Sequence, residues 1–235
     1  MESLFALLNA VALLGWSSAL LVLLTNDFVV ERPLFVSERG GGGGGVFAGG
    51  GGGGGRIPLI DLLLVLELIC LVEVCRIAVG KLKGNLVLGS VLHVIRFSCL
   101  FLVLPNGLLR GDDDVATRYV LYAWSITEVC RYPMYLFPKS SFMRRVRLVA
   151  PIFTFPVGCA AEACGAYRAL MTEWRDDDDG GVGDGRGKNP IKLGLLGMVI
   201  LINGVLGPTM AYPALLKKGL PELMRKADKK GSKGE

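Results

Sequence analysis

The chain has 235 residues, of which 51% are hydrophobic and 20% are charged, and its formal net charge is +5. Its mean hydropathy is +0.49. Soluble domains carry about 25% charged residues, so this composition favours a membrane protein over a soluble domain. The basic residues lack interleaved aromatic side chains, which argues against nucleic acid as a partner and favours an anionic membrane surface.

Six apolar runs are long enough to cross a bilayer, because a hydrocarbon core about 30 Å thick needs roughly 20 helical residues. Continuously apolar runs predict helices rather than the alternating strands of a membrane barrel. The first run has neither a preceding basic segment nor a small-residue cleavage site, so we expect a retained helix rather than a signal peptide. The predicted spans are residues 3–25, 57–79, 85–105, 116–137, 147–171 and 191–216.

The predicted fold is an all-α integral membrane protein, a six-transmembrane-helix bundle that forms one domain over residues 1–235. More basic residues lie in the second loop, the fourth loop and the C-terminal tail than in the other loops. The positive-inside rule then places both termini in the cytosol. Three segments lie outside the spans: a glycine-rich loop insertion at 40–55, an acidic loop at 173–189 and a basic cytosolic tail at 217–235.

Charged residues inside the predicted spans are expected to face the bundle interior and to pair there. Glu73 and Arg76 are three positions apart and so share a helix face, as do Glu128 and Arg131. Each pair is either a structural ion pair or part of a polar cavity for a substrate. The second pair has further polar neighbours at Trp124, Ser125 and Thr127.

Glu162 lies near the middle of the fifth span and has no basic residue three or four positions away. Phe155 precedes it by two helical turns on the same face, about 10 Å of rise. A desolvated carboxyl of this kind can act as a general acid or base near neutral pH. Pro151 and Pro156 predict a bend in this helix. Small residues that would allow close helix packing are Gly158, Ala161 and Gly165.

The cysteines and the single histidine predict no metal site. Their spacing matches no metal-ligand pattern, and all lie in apolar runs. His93 is expected to pack on a helix face, because a metal site needs several ligands. The cysteines are expected to be small buried side chains; they are Cys70, Cys75, Cys99, Cys130, Cys159 and Cys164.

Several motifs, taken in order, resemble the very-long-chain (3R)-3-hydroxyacyl-CoA dehydratases, also called the protein-tyrosine-phosphatase-like membrane family. The most specific is AWSITEVCRYPMY at residues 123–135, followed by FPVGCAAE at 155–162. The second motif resembles the family's Tyr-Pro-x-Gly-x-x-x-Glu element. Weaker likenesses are LFALLNAVALLGWSSAL at 4–20, LVEVCRIAVG at 71–80 and GPTMAYPALLKK at 207–218.

The resemblance implies a multi-pass enzyme of the endoplasmic reticulum membrane that takes part in fatty-acid elongation. Such a hydro-lyase removes water from very-long-chain (3R)-3-hydroxyacyl-CoA to give trans-2-enoyl-CoA, without a cofactor. Its implied partners are this acyl-CoA, membrane lipid and other enzymes of the elongation cycle. The resemblance places the catalytic glutamate at Glu162 and the catalytic tyrosine position at Phe155. The expected substrate pocket contains Glu128, Arg131, Tyr132 and Tyr135.

Phe155 departs from the family pattern because it has no hydroxyl, and dehydration needs both an acid and a base. Three outcomes follow. The chain is a weak dehydratase that relies on Glu162, or the hydroxyl of Tyr132, Tyr135 or Tyr167 substitutes. Alternatively, it is an inactive member that serves as a membrane scaffold or acyl-binding partner of the elongase complex. A transporter is disfavoured, because the sequence has no internal repeat with paired broken helices.

Overall fold

The computed structural model describes residues 2–25, 59–82, 85–105, 115–175 and 189–231, and within these ranges the chain forms helices and no strand. The all-helical prediction is confirmed for this part of the chain. The glycine-rich insertion at 40–55 and residues 176–188 of the acidic loop lie outside the described residues. Most of the predicted tail is helical, since the last helix continues to Gly231.

The described helices form six rods. A first π segment, Cys99–Val103, extends the third rod, and a second π segment, Ile202–Ala211, lies within the sixth rod. Two rods extend beyond the predicted spans, because a helix does not have to end where its apolar run ends. The helices are α1 Glu2–Thr25, α2 Leu59–Ala78, α3 Leu86–Ser98, α4 Val115–Leu136, α5 Ser141–Arg175, α6 Pro190–Leu201 and α7 Tyr212–Gly231.

Four rods have the length and composition of membrane spans: Ser3–Thr25, Leu86–Val103, Ser141–Trp174 and Pro190–Met224. The remaining rods, α2 and α4, carry four of the charged side chains described below, namely Glu67, Glu73, Glu128 and Arg131. Large apolar side chains point outward from several rods, an arrangement that suits lipid rather than water as the surrounding solvent. Examples are Leu14, Val87, Phe101, Phe153 and Met210. These features are consistent with a membrane protein.

Asparagine side chains fix where α3 and α6 begin. Asn85 Oδ1 accepts a hydrogen bond from the Leu88 amide at 3.1 Å. Asn189 Oδ1 accepts from the Ile191 amide at 3.1 Å, and Pro190 occupies the first helical turn. Each cap satisfies an amide that lacks an intrahelical partner. An ion pair between Lys192 and Glu173 joins the start of α6 to the end of α5.

Helix α5 lies at the centre of the bundle, packed against α4, the first π segment and the whole sixth rod. Its glycines allow this close packing, as the sequence predicts. A Cβ atom at Gly158 would lie 3.2 Å from the Ala123 Cβ, and one at Gly165 would lie 2.6 Å from Val103 Cγ1. The helix continues without interruption through Pro151 and Pro156. This position allows side chains of α5 to contact both α4 and the sixth rod.

Candidate active site

Glu162 is buried in α5, between α4 and the second π segment. Its Oε1 accepts a hydrogen bond from the indole Nε1 of Trp124 at 2.6 Å. Its Oε2 accepts one from the Asn203 side-chain amide, also at 2.6 Å. We call these three residues the carboxylate site. Because each oxygen is held by a donor on a different rod, the carboxylate plane is fixed in orientation.

The donors of the carboxylate site are both uncharged. Within the described part of the chain, Glu162 makes no ion pair. Arg96 lies over the Trp124 ring, with its guanidinium carbon 5.3 Å from the ring centre, but it pairs with Glu67 and Glu128. A negative charge on Glu162 is therefore stabilised by dipoles rather than by a contacting cation, which leaves the carboxylate free to exchange a proton.

Sequence reasoning did not identify Asn203 as a site residue. It lies in the second π segment, and such departures from α-helical geometry are frequent at functional sites. One signal was available, since an amide side chain inside a long apolar run must find a polar partner in lipid. The sequence does not say which partner that is, because Glu162 lies 41 positions earlier in the chain.

Phe155 faces the sixth rod, as Glu162 does. Its half-buried ring is nearly parallel to the ring of Tyr212, with 6.5 Å between ring centres and 5° between ring planes. A Cβ atom at Gly207 would lie 3.6 Å from the Phe155 Cζ, so glycine allows this rod to approach the phenyl ring. The predicted tyrosine position and Glu162 thus lie on one side of α5.

Two of the predicted substrate-pocket residues, Glu128 and Arg131, belong to a second group of buried or partly buried polar side chains, which we call the ion network. It consists of Glu67, Glu73, His93, Arg96, Glu128 and Arg131. Arg96 Nη1 lies 3.2 Å from Glu67 and 2.7 Å from Glu128. Arg131 Nη2 lies 2.8 Å from Glu128, the pair predicted from their spacing, and 3.4 Å from Glu73. The network joins α2, α3 and α4.

Comparison with known families gives one match. Residues 67–180 match the family model described as protein tyrosine phosphatase-like protein, PTPLA. This part of the chain belongs to that family. It is the family of the very-long-chain 3-hydroxyacyl-CoA dehydratases, so the resemblance stated from the sequence is confirmed. Comparisons with curated proteins and with solved structures give no match.

The PTPLA match includes Phe155, Glu162 and Trp124, but it ends before Asn203 and Tyr212. The phosphatase-like name does not fit the local structure. A cysteine phosphatase needs its nucleophile in a loop that cradles phosphate. Cys130 and Arg131 are neighbours inside α4, and Arg131 belongs to the ion network.

The predicted ion pair between Glu73 and Arg76 is wrong. Glu73 and Arg76 share a face of α2, but they are not among the ion pairs of the described residues. Glu73 instead contacts Arg131 at 3.4 Å and accepts a hydrogen bond from the Tyr135 hydroxyl, also at 3.4 Å. Arg76 lies over the Phe5 ring, 3.4 Å from its centre. Contacts with other helices therefore override the spacing within α2.

None of the three tyrosines proposed as substitutes for the missing family tyrosine is hydrogen-bonded to Glu162 in the described residues. The Tyr132 hydroxyl lies 3.1 Å from the Cys70 sulfur and 3.2 Å from Arg131 Nη2. The Tyr135 hydroxyl donates to Glu73. The side chain of Tyr167 is 52% exposed, on the outside of α5. Two of the three hydroxyls are thus engaged in or beside the ion network, and the third faces outward.

The cysteines are all unpaired, and the described residues contain no group that could hold a metal ion. Cys70, Cys99 and Cys159 are buried as expected, but the prediction is wrong for Cys75 and Cys164, which are exposed on their helices. An apolar run contributes residues to both the lipid-facing and the inner side of a helix. His93 is buried, with its Nδ1 2.5 Å from Glu67 Oε1, so it packs inside the ion network.

A cavity of about 300 Å³ lies beside the N-terminal part of α5 and α7. Ala150, the α5 lining residue closest to Phe155 in sequence, lies about 8 Å along the helix from it, in the direction away from Glu162. An ion pair of 3.7 Å between Arg145 and Glu222 lies at this cavity. The apolar part of its lining comes from Val146, Val149, Ala150 and Leu223.

Proposed function

We propose that this chain dehydrates very-long-chain (3R)-3-hydroxyacyl-CoA to trans-2-enoyl-CoA in fatty-acid elongation. The observation that supports this proposal is the carboxylate site. Glu162 occupies the glutamate position of the dehydratase motif, inside the family-matched residues, and is held by Trp124 and Asn203. A buried carboxylate with fixed orientation and uncharged partners is the arrangement expected of a general base.

In this proposal Glu162 takes the proton from C2 of the substrate, next to the thioester carbonyl. The hydrogen bonds from Trp124 and Asn203 hold the carboxylate while the acyl chain lies between rods or in the lipid. Loss of the C3 hydroxyl as water then completes the double bond. The ion network supports the site by joining α2, α3 and α4. Its Arg96, which pairs with Glu128, also lies over the Trp124 ring and so helps to hold Trp124 in place.

The proposed setting is the endoplasmic reticulum membrane, crossed six times with both termini in the cytosol. The four apolar rods and the basic residues of the second loop, the fourth loop and the tail support this topology. Rods α2 and α4 are the other two of the six proposed spans. They can cross the membrane because their charged side chains have partners inside the bundle. Glycosylation tags inserted at 40–55 should be modified and tags at the C-terminus should not. The opposite pattern would overturn the topology.

A second candidate function is a non-catalytic scaffold or acyl-binding partner of the elongase enzymes. One observation favours it: Phe155 provides no hydroxyl at the position where the family motif has tyrosine. The scaffold needs the fold but no proton donor near Glu162. The two candidates therefore differ in whether the purified protein converts substrate.

The test is dehydration by the full-length protein, purified in detergent and supplied with long-chain (3R)-3-hydroxyacyl-CoA. Formation of trans-2-enoyl-CoA, identified by mass spectrometry, is the expected result, and the (3S) enantiomer is the matched control. A stereospecific product supports the dehydratase. An inert protein that nevertheless copurifies with elongase-cycle enzymes would replace it with the scaffold.

A further inference from the structure

The fifth and sixth rods run side by side in opposite directions, and their contacts follow one register. Glu162 meets Asn203, and Phe155 meets Tyr212 about two turns further along. Still further, a Cβ atom at Gly219 would lie 2.7 Å from the Leu148 carbonyl oxygen. We call this line of contacts the α5 seam. Tyr212 therefore lies on the same seam as the carboxylate site and beside the position of the missing family tyrosine.

The Tyr212 hydroxyl differs from those of the inward-facing tyrosines of α4. Tyr122 donates to the Leu23 carbonyl at 2.7 Å, and Tyr132 and Tyr135 have the partners given above. Among the described residues, the Tyr212 hydroxyl makes no hydrogen bond, although its side chain is half-buried. The Tyr212 oxygen is also not among the fully buried polar atoms without a partner in the described residues. It is therefore accessible, and a ligand in the α5 seam would be able to hydrogen-bond to it.

The cavity beside α5 and α7 is not part of the α5 seam, because its lining residues Val146, Val149 and Ala150 lie on another face of α5 from Phe155 and Glu162. Only the seam contacts therefore bear on the role of Tyr212. A substrate bound along the seam would have Glu162 on one side of its reactive carbons and the phenol on the other. This is the placement that a base and an acid need for elimination across C2 and C3.

We infer that Tyr212 replaces the family's missing tyrosine and is the proton donor to the departing C3 hydroxyl, an inference that rests on the proposed dehydratase function. The Glu162 carboxylate takes the C2 proton, and the electron pair of that C–H bond forms the C2–C3 double bond. The C3–O bond breaks, and its oxygen takes the phenolic proton and leaves as water. The proton on Glu162 then returns to the phenolate, so the substrate loses one water and both groups are restored.

The test uses Tyr212→Phe in the full-length protein with (3R)-3-hydroxyacyl-CoA. This change removes one oxygen and keeps the ring that stacks on Phe155, so the melting temperature should stay unchanged. We expect kcat to fall by about 100-fold, the low end for a positioned acid. KM should change by less than about twofold, because losing a group that acts only in the transition state lowers kcat and leaves substrate binding unchanged. Tyr167→Phe, on the outside of the same bundle, is the matched control and should leave kcat unchanged.

A second variant tests whether the lost function is the hydroxyl itself. Adding Phe155→Tyr to the Tyr212→Phe protein returns a phenol to the motif position. The double variant should have a kcat at least about tenfold higher than that of Tyr212→Phe alone. If the starting protein is active and Tyr212→Phe is equally active, the inference is overturned while the proposed function stands. If the starting protein produces no enoyl-CoA under any condition, the proposed function fails and the role of Tyr212 fails with it.

Discussion

The ion network and the carboxylate site are both buried in the bundle, but their negative charges are balanced in different ways. In the ion network each glutamate lies within 3.4 Å of a guanidinium nitrogen. In the carboxylate site the described residues give Glu162 two neutral donors and no ion pair. Paired charges hold helices together, because separating the helices or removing one partner would leave the other charge unpaired in a low-dielectric interior. A carboxylate with neutral donors stays available for proton transfer.

Glu128 and Glu162 look alike in the sequence, but their contacts differ. Glu128 and Glu162 are both buried glutamates inside the family-matched residues. Under the proposed function, Glu128 is a structural residue of the bundle and Glu162 is the residue that does the chemistry. The following predictions test that division, beginning with the largest expected effect.

Arg96→Met should have the largest effect on stability. It leaves Glu67 and Glu128 without the cation that joins them, and breaking a buried ion pair from one side costs about 3–5 kcal/mol. The measurement is unfolding of the purified protein in mixed micelles. Lys217→Met, which removes an exposed cation, is the control and should change stability by less than about 0.5 kcal/mol. Equal stabilities of the two variants would show that the network does not hold the helices.

Trp124→Phe should act mainly on the carboxylate site. It removes the indole N–H that Glu162 Oε1 accepts, and losing a donor to a charged group costs about 1–3 kcal/mol. Dehydration should slow by about 10- to 100-fold, measured as the initial rate of enoyl-CoA formation. Trp174→Phe, at an exposed tryptophan near the end of α5, is the control. A rate equal to that of the control would mean that Trp124 does not hold the base.

Cys70→Ala should have the smallest effect of the three. Its sulfur lies 3.1 Å from the Tyr132 hydroxyl and 3.6 Å from Arg131, both of which keep other partners or neighbours. The expected loss is about 1 kcal/mol of unfolding free energy. Cys75→Ala, on the exposed side of the same helix, should cost less than about 0.5 kcal/mol. A loss above 3 kcal/mol for Cys70→Ala would place this thiol at the centre of the ion network.

Apolar runs and local spacing predict the rods and some of their contacts. The Glu128–Arg131 pair and the close packing at Gly158 depend on residues within one helix or on side-chain size, so they are visible in the sequence. The Glu73–Arg76 pair fails, although its spacing is the same, because Arg131 from another helix contacts Glu73. Local periodicity gives no information on which helices become neighbours.

The partners of the site were beyond sequence reasoning for the same reason. Trp124 and Asn203 meet Glu162 across separations of 38 and 41 residues. Tyr212 was part of a quoted motif, but only the register of the α5 seam places it against Phe155. The family motif could identify Glu162 as the glutamate and Phe155 as the departure, without indicating which hydroxyl lies nearby.

The most direct test of this account compares Glu162→Gln with Glu128→Gln, each measured for turnover and for stability. Glu162→Gln should lose at least about 100-fold in turnover. It should unfold within about 1 kcal/mol of the unmodified protein, since the Asn203 amide can turn to accept from the new glutamine. Glu128→Gln should lose about 3–5 kcal/mol of stability, and its folded fraction should keep most of its turnover. A Glu162→Gln protein that is fully active beside a stable but inactive Glu128→Gln protein would contradict the account and make Glu128 the catalytic carboxylate.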